Sequence, residues 1–77
     1  MNRIEDFILK FAEQFETTDR SGITASTRYK ELEEWDSLTA LSIIAMVNTN
    51  YNVELIGADV RGATTVEDLF NLVVSKT

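Results

Sequence analysis

Apolar residues recur along this chain with a helical period. Ile4, Phe7, Ile8, Phe11 and Phe15 stand at i, i+3, i+4, i+7 and i+11, one face of an amphipathic helix over residues 2–16. Glu5, Asp6, Lys10, Glu13, Gln14 and Glu16 fill the other faces. Asn2 is placed to cap it, with Glu5 reaching back. From 17 to 36 the period lapses. Thr, Ser, Asp and Gly22 dominate the first half of this stretch, and Tyr29, Leu32 and Trp35 then follow at intervals of three. An unstructured loop of about 20 residues is uncommon in a compact domain. The stretch is therefore expected to be functional or to contain a hidden turn of helix, with Ile23, Tyr29, Leu32 and Trp35 pinning it to the core.

A second helix is expected over 37–51. At about 100° per residue, Ala40, Ile43, Ile44, Val47 and Tyr51 form one stripe, read as the core face. Leu38, Leu41 and Ala45 make a second apolar strip on the other side of Ser37. Met46 stands apart, and Thr39, Ser42, Asn48, Thr49 and Asn50 complete the surface. Gly57 and Gly62 bracket room for one or two helical turns, with Asp59 and Arg61 expected in solvent; these two glycines and Gly22 read as turn or cap residues. In the last segment, Thr64 and Glu67 have capping-box spacing, with Thr65 and Asp68 as second choice. Val66, Leu69, Phe70 and Val73 form its inward stripe. The pattern predicts an all-α bundle of three main helices plus one short helix, with a long loop between the first two.

Length makes this one domain, 1–77, whose core hides roughly 60% of the surface of the unfolded chain. The net charge is −6. That argues against nucleic acid and against an anionic membrane, both of which need clustered cations. It favours basic partner surfaces and predicts that added salt stabilises the fold. There is no Cys, hence no disulfide and no thiol. No apolar run approaches the ~20 residues of a membrane span, and the start lacks a signal-peptide pattern. A cytoplasmic monomer is the expectation.

The residue inventory also excludes chemistry. With no His and no Cys, Ser37 has no imidazole to activate it, and Asp36 is a poor base for a hydroxyl. Zinc sites need the same missing ligands. Glu31, Glu33, Glu34 and Asp36 lack the alternation and glycine turn of an EF-hand loop, so they read as a solvated acidic patch and no metal site is assigned. There is no Gly-rich phosphate loop. The chain is not expected to be an enzyme.

Ser37 remains. One reading is bland: Asp36 caps a helix and a serine happens to follow. Three features weigh against it. A serine at a helix start suits an attached phosphate, by roughly 0.3–1 kcal/mol. The strip Leu38-Leu41-Ala45 is not needed for the core. A long loop delivers the serine to the surface.

These residues carry a family resemblance. Asp36-Ser37-Leu38 opens the second helix after a long loop, a short third helix follows, and Thr65-Val66-Glu67-Asp68-Leu69 starts the last. Over nearly its whole length the chain resembles an acyl carrier protein, a small four-helix protein bearing a 4′-phosphopantetheine arm. The resemblance implies that a separate phosphopantetheinyl transferase esterifies Ser37 from coenzyme A with Mg²⁺. The arm's thiol then holds an acyl group as a thioester, loaded by a ligase or synthase and passed to acyltransferases. It implies that Asp36 is the motif acid that helps position the metal in the transferase, that Leu38, Leu41 and Ala45 are docking contacts, and that the core face lines a pocket for an acyl chain. Trp35 reads as a core anchor or as a contact for partner or arm.

The sequence departs from the fatty-acid carriers. Their second helix carries several acids, whereas no residue from Leu38 through Val53 is charged here. Glu34-Trp35 also replaces their glycine-containing run. The chain is more similar to discrete carriers with a Trp-Asp-Ser-Leu motif that serve dedicated biosynthetic pathways. An aminoacyl, D-alanyl or peptidyl carrier remains open, as does an unmodified helical interaction module.

Overall fold

The computed structural model describes residues 3–16 and 18–77, the Arg20 side chain excepted. Its helices are α1 (Ile4–Ala12), α2 (Ser37–Tyr51), α3 (Gly57–Gly62) and α4 (Val66–Ser75), with single 3-10 turns at Arg20–Gly22 and Tyr29–Glu31. There is no strand among the described residues. The fold is an all-α bundle of three main helices plus a short one. Among the described residues, no helix is long and apolar enough to cross a membrane.

The helical period of α1 becomes burial. Phe7 and Phe11 are fully enclosed and Phe15 nearly so, while Ile4 and Ile8 are half-buried. Each fully buried side chain of this size contributes about 1.5–3 kcal/mol of transfer free energy. Phe7 meets Phe70 of α4 at 5.4 Å and Tyr51 of α2 at 5.8 Å between ring centroids, which ties three helices at one point. The helix is shorter than its period suggests. After Ala12 the N–H groups of Gln14 and Phe15 turn to the carbonyls of Phe11 and Ala12, tightening the last turn. At the other end Arg3 occupies the cap position without a side-chain cap, and its guanidinium donates instead to Glu5 at 3.1 Å. The expected cap, Asn2, lies outside the described residues.

The long first loop is ordered by its own contacts. Ile23 and Tyr29 are buried, and Leu32 and Trp35 pack on the core beside them, in keeping with the expected pins. The loop also supplies what a helix start lacks. The first N–H groups of α4 have no partner within the helix. Val66 N donates to the Thr27 carbonyl at 3.1 Å and Glu67 N to the Ala25 carbonyl at 2.9 Å. The next donor, Asp68 N, donates to the Thr65 hydroxyl, and Thr65 N donates in return to Asp68 Oδ2, both at 3.1 Å. The capping box is thus Thr65 and Asp68, not the first choice Thr64 and Glu67.

Two expectations for α2 are corrected. Met46 and Thr39 are buried with Ile43 and Val47, whereas Ala40, Ile44 and Tyr51 are only half-buried. The core stripe is turned toward Thr39, Ile43 and Met46. A threonine can lie there because its hydroxyl donates to the Glu34 carbonyl at 3.2 Å. The helix ends at Asn52, whose φ of 55° and ψ of 39° are left-handed, and whose N–H donates to the Asn48 carbonyl. No glycine has positive φ. The left-handed cap falls to an asparagine, while Gly57 and Gly62 stand at the two ends of α3 and Gly22 ends a 3-10 turn.

Candidate functional site

The site begins with how α2 starts. Asp36 has extended backbone, and its Oδ1 accepts the Thr39 N–H at 2.8 Å, the bond that caps a helix. Hydrogen bonding from Thr39 holds its carboxyl below the usual aspartate range. The bland reading of Asp36 is therefore physically real. It leaves Ser37 at the first helical position, exposed, with its hydroxyl in no hydrogen bond to a described residue.

A cleft of about 480 Å³ opens beside this serine, between the first turns of α2 and the short α3. Val60, Ala40, Ile44 and Trp35 are its more buried walls, and the exposed Ser37, Asp36, Leu41, Lys30 and Arg61 stand around its mouth. The walls are apolar, whereas the mouth carries two cations, in a chain of net charge −6. Lys30 also donates to the Arg61 carbonyl at 2.6 Å. That cation at the C-terminal turn of α3 fixes one side of the cleft. Arg61 is in solvent as expected. Asp59 is half-buried instead, because its carboxylate accepts the Ile56 N–H at 3.1 Å and lies 3.9 Å from Lys76.

The residues singled out from the sequence fall on two surfaces. Ser37, Asp36, Trp35 and Leu41 meet at the cleft. Leu38, 72% exposed, and Ala45 face solvent outside it. Leu41, 60% exposed, belongs to both. Trp35 serves as an anchor and as a wall at once. It stacks on Phe15 at 6.4 Å and meets Tyr29 edge-on at 4.8 Å, while its remaining surface faces the cleft.

Glu34 overturns the expectation of a uniform solvated acid patch. Its carboxylate accepts Glu16 N at 2.6 Å, Thr18 N at 2.9 Å and Thr18 Oγ1 at 2.9 Å, and the residue is half-buried. Glu31 and Glu33 are exposed. No local spacing signals this, because the donors lie 16 and 18 positions away. Lys30, Val60 and Arg61 were likewise not legible as parts of this site, since only tertiary packing brings them to Ala40 and Ile44 of α2. Among the described residues, no cluster of His, Cys, Asp and Glu is placed to hold a metal.

Comparison with protein-family models, curated proteins and solved structures finds no match for this chain.

Proposed function

We propose that the chain is an acyl carrier protein, holding an acyl group on a 4′-phosphopantetheine arm attached to Ser37. The observation that carries this reading is the place of Ser37: an exposed, uncommitted hydroxyl at the start of α2, on the mouth of an apolar cleft. The residues present fit the group. Ser37 starts α2 at its positive end and shares the cleft mouth with Lys30 and Arg61, which would favour a phosphodiester there. When bound, the arm supplies a thiol for a thioester, which a chain without Cys otherwise lacks.

The chain's own part is to present an oxygen. In a phosphopantetheinyl transferase with Mg²⁺, Ser37 Oγ forms a bond to phosphorus and a P–O bond of the coenzyme A pyrophosphate breaks. The nucleotide half leaves, and the serine proton passes to a base of the transferase. Asp36, the neighbour of Ser37 in the chain and at the same cleft mouth, helps position the metal in that enzyme. A loading ligase or synthase and an acyltransferase then use Leu38, Leu41 and Ala45 as contacts. The chain performs no reaction alone, and it works in the cytoplasm as a monomer. Its neutral α2 surface fits a dedicated pathway better than housekeeping fatty-acid synthesis, because no carboxylate on that helix can steer a basic partner. An aminoacyl or peptidyl cargo would use the same tether.

Co-expression with a broad-specificity phosphopantetheinyl transferase, followed by mass measurement, tests the proposal. The expected result is a gain of one phosphopantetheine arm, abolished in Ser37→Ala, with both proteins equally stable. An unchanged mass on folded protein removes the carrier reading. It would favour an unmodified interaction module, to which the exposed Leu38, Leu41 and Ala45 give a contact surface.

A further inference from the structure

We infer that Glu34 is a positioning residue for the modification of Ser37, an inference that rests on the carrier reading. Glu34 stands three residues before the serine and is tied at both ends. Its carboxylate takes N–H and O–H donors from Glu16 and Thr18, in the chain that leaves α1. Bonds to an ionised acceptor are roughly twice as strong as neutral ones. Its backbone carbonyl takes the hydroxyl of Thr39, on the first turn of α2.

Thr39 in turn gives its N–H to Asp36, and Trp35 N donates to the Leu32 carbonyl at 3.0 Å. The segment Glu34-Trp35-Asp36 is therefore braced upstream to the chain that follows α1, at Glu16 and Thr18, and downstream to α2. Ser37 Oγ is left outside this network of described bonds. The run is the last piece of a long loop, and a loop that must be ordered on binding weakens affinity by the fraction of time it is competent. The brace removes that cost. A transferase meets a turn already in place, with the acid and the hydroxyl in fixed relation.

A purely structural staple would lower the melting temperature and leave the kinetics of folded protein unchanged. The experiment therefore compares wild type, Glu34→Ala, Glu34→Gln and Thr18→Val with a broad-specificity transferase and coenzyme A, at a temperature where circular dichroism shows each folded. For Glu34→Ala the expected result is a rise in KM for the carrier of about tenfold, as for a turn competent one-tenth of the time, with kcat unchanged. Glu34→Gln, which keeps one acceptor oxygen, recovers part of the loss. Unchanged KM in folded Glu34→Ala, or a fall in kcat alone, overturns the inference while the carrier reading stands. Should Glu34→Ala not fold, Thr18→Val decides: it removes one donor hydroxyl, so a smaller rise in KM is required and an unchanged KM overturns the inference. A wild type that takes up no arm sinks the carrier reading itself, and the inference with it.

Discussion

The hydroxyl of Tyr29 donates to the backbone carbonyl of Val60, with the Ala63 carbonyl 3.3 Å away as a second acceptor. One side chain of the long loop thereby satisfies carbonyls of α3 and the residue after it, and sets the height of α3 over the cleft. Tyr29→Phe keeps the ring against Phe11 and Trp35 but leaves buried carbonyls short of a donor. Urea unfolding is expected to show a loss of about 1–3 kcal/mol.

The same residue gives the fold an alkaline limit. Burial, with a smaller contribution from the Asp68 charge, pushes the Tyr29 hydroxyl up to about 12, against an ordinary value of 10.0. The folded state thus holds a proton that the unfolded state releases. This stability is fully present below pH ~10 and is lost as pH rises from ~10 to ~12, by about 1.4 kcal/mol per pH unit. Denaturation curves at stepped pH should show Tyr29→Phe with a shallower alkaline decline than wild type. Parallel declines would refute the assignment.

At the start of α4 the sequence left two threonines in competition, and the structure chooses Thr65. Thr65→Ala is expected to cost about 1 kcal/mol, the usual worth of an N-cap, whereas exposed Thr64→Ala should fall within ~0.5 kcal/mol of wild type. Thermal unfolding of the two variants decides the matter. A larger loss at Thr64 would move the helix start by one residue.

What could be read from the chain, and what could not, follows the range of the interactions. The 3.6-residue period placed Phe7, Phe11, Val66, Leu69 and Val73 in the core, because a helix face is a local property. Ser37 as the first residue of α2 was legible for the same reason. The roll of α2 was not. Met46 and Thr39 are buried by packing that no helix period fixes, and the Thr39 hydroxyl finds its acceptor five residues upstream, on the backbone of Glu34. The cleft was legible in part, as a serine at the head of the α2 face that carries Ala40 and Ile44. Its far wall, Val60, and its cations Lys30 and Arg61 arrive from elsewhere in the chain. Glu34 was hidden by its neighbours, since nothing in a run of acids marks which one turns inward.

Asn52 marks where α2 stops, with the one positive φ among the described non-glycine residues. A side chain with a branched Cβ is strained in the left-handed region, while glycine is not. Asn52→Val is expected to lower stability by about 1–2 kcal/mol, and Asn52→Gly to leave it nearly unchanged. Chemical denaturation of the pair separates backbone strain from side-chain loss, because both variants delete the same amide. Equal losses would mean that the amide, not the backbone, matters at this cap.

Trp35 links the core to the candidate site, so its replacement should be felt in both. Trp35→Ala removes the stacking on Phe15 and the edge contact with Tyr29, and it opens the cleft wall beside Ala40 and Ile44. The side chain is half-buried, so the expected loss is about 2–3 kcal/mol, below the value for a fully enclosed Trp. Trp35→Phe, which keeps an aromatic wall, should lose less than half as much. As the only tryptophan of the chain, Trp35 also reports on its own turn. In Glu34→Ala its emission should move to longer wavelength while far-ultraviolet circular dichroism is retained, because the turn loosens before the helices do. An emission spectrum identical to wild type in that variant would show that the aromatic contacts, not the carboxylate, hold the segment in front of Ser37.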